Sequence, residues 1–200
     1  MANCTATILL PTTGDRGPLL PYSIGSIQRQ TVTDFELFVI GDGVTEATRQ
    51  VIQQLMAKDD RIRFFDHPKH PRRGEVYRHA ALAEARGQFV AYLCDRDLWL
   101  PEHLAVLGDH LQDHDFVATG AYDVNPDYEM HYGVANVPFG PLNLELPAHR
   151  RGVHRLSAVG HSLVAYQALP EGWRTTPEAE YTDRHMWRQF LAQPGLRAYA

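Results

Sequence analysis

The sequence predicts an α/β fold: a mostly parallel central sheet with helices on both faces and a short irregular region on one side. Three features point there. Short apolar runs alternate with amphipathic stretches over roughly the first 120 residues, the pattern of βαβ units. Acidic turns follow two of those runs, at Gly41-Asp42-Gly43 and at Asp95-Arg96-Asp97, where open α/β sheets bind ligands. Beyond Asp123 the periodicity fades into a stretch rich in Pro, Gly and Asn, up to Arg151.

Taken in order, residues 5–10 (Thr-Ala-Thr-Ile-Leu-Leu) read as a first strand closed by Pro11, and residues 12–17 as a turn-rich loop. A short helix is expected over 20–29 and a second buried strand over 35–40. Residues 45–58 form an amphipathic helix with Thr48, Val51, Ile52 and Leu55 on one stripe. A third strand over 61–65 precedes a basic loop with two prolines, 67–73, and a helix over 74–86 carrying Val76, Ala80 and Ala83, with Gly87 as its stop. Phe89-Val90-Ala91-Tyr92-Leu93 is short and continuous, as a strand buried on both faces should be. Pro101 suits the first position of the next helix, with Leu104, Leu107 and Leu111 inward. A fifth strand is expected over 116–121 and a long loop over 123–151, of the kind that is usually functional. One further strand, antiparallel, fits 161–166. Thr182 caps a final helix, with Asp183 in its first turn and Met186, Trp187, Phe190 and Leu191 inward.

Two hundred residues suffice for one domain with a real core. The net charge of −5 argues against a general nucleic-acid binder. No stretch approaches the ~20 apolar residues of a membrane span, and Met1-Ala2-Asn3-Cys4 does not open a signal peptide. Cys4 and Cys94 make no disulfide framework, so a cytoplasmic setting is expected and each reads as a small buried residue. The 11 histidines are scattered without a zinc pattern. The chain stops at Ala200 without a closing element, so it reads as one domain, cut from a longer protein or whole.

Asp95 and Asp97 are two apart, so in an extended segment they would point the same way. Two hard oxygen ligands on one side can hold a divalent cation, and the cation a diphosphate. Asp-X-Asp alone is common, and a polar turn before a helix is the bland alternative. Arg96 between them would point away if the alternation holds, and would compete with a cation if it does not.

The ordered set of these stretches resembles the family 2 glycosyltransferases of the GT-A nucleotide-sugar fold. It is carried by Thr7-Ile8-Leu9-Leu10-Pro11-Thr12, by Gln28-Arg29-Gln30-Thr31 followed by Asp34-Phe35-Glu36-Leu37, and by Gly41-Asp42-Gly43-Val44-Thr45-Glu46. Arg78-His79 with Ala83 to Gly87, and Asp95 to Pro101, complete it. The match is good over about the first 110 residues, the nucleotide-binding half, and loose over residues 161–191 of the acceptor half.

The resemblance implies inverting transfer of a sugar from a nucleoside diphosphate, UDP by the family's habit, to a saccharide or other hydroxyl acceptor. It implies that Thr12 and Asp42 contact the base or ribose, and that Arg78 lies near the base or diphosphate. Asp95 would reach the ribose or a metal-bound water, and Asp97 would ligate Mn²⁺ or Mg²⁺ directly. Asp183 matches the general base of a Glu-Asp pair, although Thr182 stands where the family often has Glu; Gly41 likewise stands where family members often have Asp. His161 and His185 are candidate third metal ligands, and Arg16, Arg72 and Arg73 candidate phosphate contacts, each with a packing or surface role as the plainer reading. Trp99 and Trp187 read as core.

Two other classes compete. A GT-A domain without catalysis, serving to bind, would fit Gly41 and Thr182. A nucleotidyltransferase would share the sheet and the metal, but residues 12–17, with two Gly and one Arg, poorly match its basic glycine-rich loop.

Overall fold

The computed structural model describes residues 4–133 and 155–200. Seven strands form one sheet in the order β3-β2-β1-β4-β8-β5-β9. They are β1 (Cys4–Gly14), β2 (Phe35–Val44), β3 (Ile62–His67), β4 (Gly87–Tyr92), β5 (Phe116–Ala118), β8 (Val159–Ser162) and β9 (Ala198–Tyr199). Among the described strands of this sheet, β8 alone runs antiparallel to its neighbours, β4 and β5. The remaining two, β6 (Ala121–Val124) and β7 (Met130–Gly133), form a separate hairpin.

Period-two alternation divides the buried strands between two cores. Ile8 and Leu10, Leu37 and Val39, and Phe89 and Ala91 face one side. That side is covered by α1 (Leu20–Gln28), α2 (Glu46–Met56) and α4 (His103–Leu111). Leu9, Phe38, Ile40, Val90 and Tyr92 face the other side. There α3 (Glu75–Leu82), α5 (Leu163–Gln167) and α6 (Thr182–Leu191) cover them. Each such aliphatic side chain contributes about 1.5–3 kcal/mol on burial, so strands apolar on both faces are fixed between two helical layers. Among the described residues no helix is long and apolar enough to cross a membrane.

Several expectations need correction. β1 continues through Pro11 to Gly14; its pairing with β4 ends at Leu9, so the missing proline N–H costs that ladder nothing. Gly87 does not stop α3 but opens β4, where a Cβ would lie 2.2 Å from the Thr7 nitrogen. The inward face of α3 is Glu75, Arg78, Ala81 and Leu82, whereas Ala80 and Ala83 are exposed. Burying a carboxylate and a guanidinium there inverts the hydrophobic pattern. Pro101 lies two residues before α4. The expected strand over 116–121 breaks after Ala118, and the start of the loop over 123–151 belongs to the β6–β7 hairpin; residues 134–151 lie outside the described residues. The antiparallel strand is β8, and α5 begins at Leu163, inside the span expected to be strand. Tyr181, not Thr182, is the N-cap of α6. The last residues add β9 to the sheet beside β5.

Candidate active site

The C-terminal ends of β2, β1 and β4 lie side by side, which puts both acidic turns at one edge of the sheet, on either side of β1. Gln30 steadies this edge from below. It is buried, donates to the Leu100 carbonyl at 2.8 Å and accepts from the Leu104 N–H at 2.9 Å, holding the segment after Asp97.

Thr12, at the end of β1, is buried and donates to Asp95 Oδ2 at 3.0 Å. Arg16 Nη1 stands 3.8 Å from Asp95 Oδ1. Burial pushes the Asp95 carboxyl above its ordinary value, and the Thr12 hydroxyl and Arg16 pull it back. Asp97 faces elsewhere. Its N–H donates to the Cys94 carbonyl at 3.1 Å, closing a turn, and its Oδ2 accepts from Ser157 Oγ at 2.5 Å. The expected extended geometry is therefore wrong: a turn splits the two carboxylates between different partners. Arg96, at the crown of that turn, is exposed.

Asp42 sits at the end of β2, buried, with both oxygens engaged. Oδ1 accepts from the His70 N–H at 2.5 Å, and Oδ2 accepts from Lys69 Nζ. The carboxylate thus fastens the basic loop across the sheet edge. Gly43, at φ +66°, lets the loop close: a Cβ there would meet Lys69 Cβ at 2.5 Å. At Gly41 a Cβ would meet the Phe64 ring at 2.8 Å, so a larger residue there would require that ring to shift.

Arg78 is a core residue, 5% exposed, on the inward face of α3. Its guanidinium lies 4.8 Å over the Trp173 ring, and Nη2 donates to the Arg73 carbonyl at 3.0 Å. Nε and Nη1 are buried without a hydrogen-bond partner. Two orphaned cationic donors are a costly arrangement that an anion would relieve. Burial pushes Arg78 below its ordinary pKa, against the charges of Asp183 and Glu75.

Asp183 lies in the first turn of α6. Burial pushes its carboxyl above the usual carboxylate range; Arg78 and the Leu156 N–H oppose this, and the charge of Asp97 adds to it. Asp183 thus feels both Arg78 and Asp97, which come from two other segments.

Glu75, which the sequence reading passed over, is fully buried. It accepts from the N–H groups of Arg73 at 3.1 Å and Thr176 at 3.3 Å, and from Thr182 Oγ1 at 3.4 Å. Thr182 therefore anchors α6 to α3. Burial pushes the Glu75 carboxyl up, but the N–H donors outweigh it and hold it below its ordinary value. A depressed folded pKa means stability present above the unfolded pKa and lost as pH falls through the folded one. Glu75→Gln is expected to lower stability at neutral pH by about 1.5–3 kcal/mol. It should also flatten acid unfolding below the ordinary carboxylate range, as urea titrations at pH 7 and pH 3 would show.

The other candidates fall outside the centre. His161 is fully buried, its Nε2 2.7 Å from the Tyr92 hydroxyl, and burial holds it down to about 4, so it is a neutral core residue. His185 pairs with Glu180 at 3.1 Å. Arg72 donates to the carbonyls of Thr176 and Pro177, each at 3.0 Å, and so braces a loop. Arg73 is exposed. Trp99 and Trp187 are core, the Trp99 indole donating to the Ser157 carbonyl at 2.7 Å. Burial, then Asp97, pushes the Cys94 thiol up to about 12, which leaves it inert as a nucleophile. Trp173, Lys69 and Ser157 were missed. The first and last sit in stretches without periodicity, and Lys69 was one charge among several in its loop.

Mg²⁺ and Mn²⁺ take hard oxygen ligands, keep several waters and need only one or two carboxylates. The donor set fits: Asp95 and Asp97 supply such oxygens, and the charge of Asp97 reaches both Asp95 and a third carboxylate, Asp183. Among the described residues no three His, Cys, Asp or Glu groups form a ready cage.

The chain resembles several known proteins. It is 34% identical over 101 residues to the GalNAc(5)-diNAcBac-PP-undecaprenol beta-1,3-glucosyltransferase of Campylobacter jejuni, an alignment covering 50% of this chain and 32% of that one. The mannosyltransferase PcManGT of Pyrobaculum calidifontis, solved with GDP-Man and Mn²⁺, superposes with a TM-score of 0.72 at 19% identity, covering 100% of this chain and 55% of that one. TarS of S. aureus, residues 1–349 with UDP-GlcNAc, superposes with a TM-score of 0.73 at 15% identity, covering 98% and 58%. The chain thus spans about a third of the first relative's length and little more than half of these two structures. The likeness in shape gives the GT-A fold. The model of glycosyl transferase family 2 matches residues 7–164, and to that family this chain belongs.

Proposed function

We propose that this chain performs inverting transfer of a sugar from a nucleoside diphosphate, with UDP-sugar as donor, to a saccharide or other hydroxyl acceptor. Its residues would form one domain, with a nucleotide-binding half up to about residue 110 and an acceptor half beyond it. The observation that carries the reading is that Asp183 lies within reach of both the Asp97 carboxylate and the buried, half-satisfied Arg78 guanidinium. Two of the structural neighbours were solved with nucleotide sugars, one of them with Mn²⁺.

In this reading Thr12 and Asp95 line the ribose end, and Asp42 acts through the loop it fastens beside the base. Asp97, with Asp95, would hold Mn²⁺ or Mg²⁺, which when bound neutralises charge on the departing diphosphate. Arg78 offers its orphaned donors to the same developing charge. Asp183 takes the proton of the acceptor hydroxyl as the new bond forms, an effect worth about 10²–10⁴-fold. Attack from the face opposite the diphosphate inverts the anomeric carbon.

The test is calorimetric titration of UDP, GDP, dTDP and CDP into the protein, each with and without Mn²⁺, followed by turnover of the matching sugar nucleotides. Binding of one nucleotide that needs Mn²⁺ is expected, with UDP as that nucleotide. Binding without turnover would favour a non-catalytic binding domain. Release of pyrophosphate from a nucleoside triphosphate would favour a nucleotidyltransferase.

A further inference from the structure

Ser157 lies in a short 3₁₀ turn, Leu156–Ala158, that leads into β8. It is far in sequence from the Asp95–Asp97 turn, yet it touches that turn three times. Its Oγ accepts from the Cys94 N–H at 2.9 Å, its Oγ donates to Asp97 Oδ2 at 2.5 Å, and its carbonyl accepts from Trp99 Nε1 at 2.7 Å. These contacts lie just before, within and just after the Asp-X-Asp turn. The neighbouring Leu156 N–H meets the carboxyl of Asp183. One corner of the chain therefore orients both the carboxylate proposed to hold the cation and the one proposed to take the proton.

A hydroxyl carries one donor and can accept as well. With the Cys94 N–H donating to it, the Ser157 hydroxyl has its hydrogen directed at Asp97 Oδ2. That oxygen is thereby spoken for, and the carboxylate can rotate only by breaking a charge-assisted bond. The remaining oxygen, Oδ1, is left at a set orientation for a ligand. Groups that orient a ligating carboxylate in this way usually change metal affinity by 10–100-fold when removed.

We propose that Ser157 is a positioning residue for the cation: it ties up Asp97 Oδ2 so that Oδ1 stays open to a cation, and locks the turn that carries it to β8. This rests on the reading of Asp97 as a metal ligand. A merely structural serine would brace the turn by accepting the Cys94 N–H, and its loss would lower the thermal midpoint without altering the metal requirement.

The experiment measures Mn²⁺ affinity by electron paramagnetic resonance at saturating UDP, on wild type, Ser157→Ala, Ser157→Thr and Asp97→Ala, with thermal midpoints for each. Ser157→Ala is expected to weaken Mn²⁺ by tenfold or more while UDP affinity without metal stays the same. Ser157→Thr, which keeps the hydroxyl, should restore affinity to within about threefold. Unchanged Mn²⁺ affinity in a folded Ser157→Ala protein, beside a loss in Asp97→Ala, would overturn this inference and leave the proposed function standing. Equal Mn²⁺ affinity in wild type and Asp97→Ala would overturn both. If Ser157→Ala does not fold, Ser157→Cys, which keeps the size of the side chain but donates only weakly, decides: weakened Mn²⁺ binding in the folded variant supports the proposal, and unchanged Mn²⁺ binding overturns it.

Discussion

Asp97→Ala is expected to remove metal-stimulated nucleotide binding and to lower kcat/KM for sugar transfer by about a thousandfold or more. The size follows from the task assigned to the cation: neutralising a leaving diphosphate is worth several kcal/mol, and about 4 kcal/mol is a factor of a thousand. The fold should tolerate the change. Asp97 is half-buried, its side chain is held by Ser157, and its backbone closes the turn through an N–H that alanine keeps. A stability loss of about 1 kcal/mol or less is expected, so a thermal scan separates a lost ligand from a lost fold. Asp95→Ala is a less clean probe, because it also releases Thr12 and Arg16. Full Mn²⁺ stimulation in Asp97→Ala would show that the cation, if used, is held elsewhere.

Asp183→Asn is the second large effect. It should reduce kcat by about 10²–10⁴-fold while leaving UDP affinity within about twofold, since the base acts only as the acceptor proton leaves. The pH profile gives an independent check. Burial, then the opposing pull of Arg78, leaves the Asp183 carboxyl above its ordinary value. A base must be deprotonated to work. The acid limb of kcat should therefore fall away at a higher pH than an unperturbed carboxylate, near 4, would give, with activity rising as pH rises through that value. In Asp183→Asn the residual activity should lack this limb. An unchanged acid limb in the variant would remove Asp183 from the proton transfer and assign the pH dependence to another group.

Much of roughly the first 100 residues was legible in the sequence, for a physical reason. Strands buried on both faces must be short and apolar, and ligand-binding residues in open α/β sheets must follow them. The runs ending at Leu10, Ile40 and Leu93 therefore announced both the sheet and the places of Thr12, Asp42 and Asp95–Asp97. Gln30 and Thr31 were marked only by resemblance; that they hold the chain beyond Asp97 through the Leu100 and Pro101 carbonyls is visible only in the structure. Arg78 was also marked, by resemblance, but its setting was not. A guanidinium on the inner face of α3 contradicts hydrophobic patterning, and Val76, Ala80 and Ala83 suggested a different inward stripe.

The order of the strands from residue 4 to residue 92, and the acidic turns at their ends, follow from local pattern alone. Which groups those turns meet depends on contacts between distant segments. Asp95 and Asp97 diverge because a turn closes on Cys94 and Ser157 draws Asp97 away from Thr12. Asp42 is taken up by Lys69 and His70, and Glu75 gathers Arg73, Thr176 and Thr182. Trp173 lies under Arg78 because a loop without periodicity folds back over α3. Periodicity records the burial of apolar side chains, which repeats along an element. A polar contact between residues far apart in sequence leaves no such repeat, so the acidic turns could be read from the chain and their partners only from its folding.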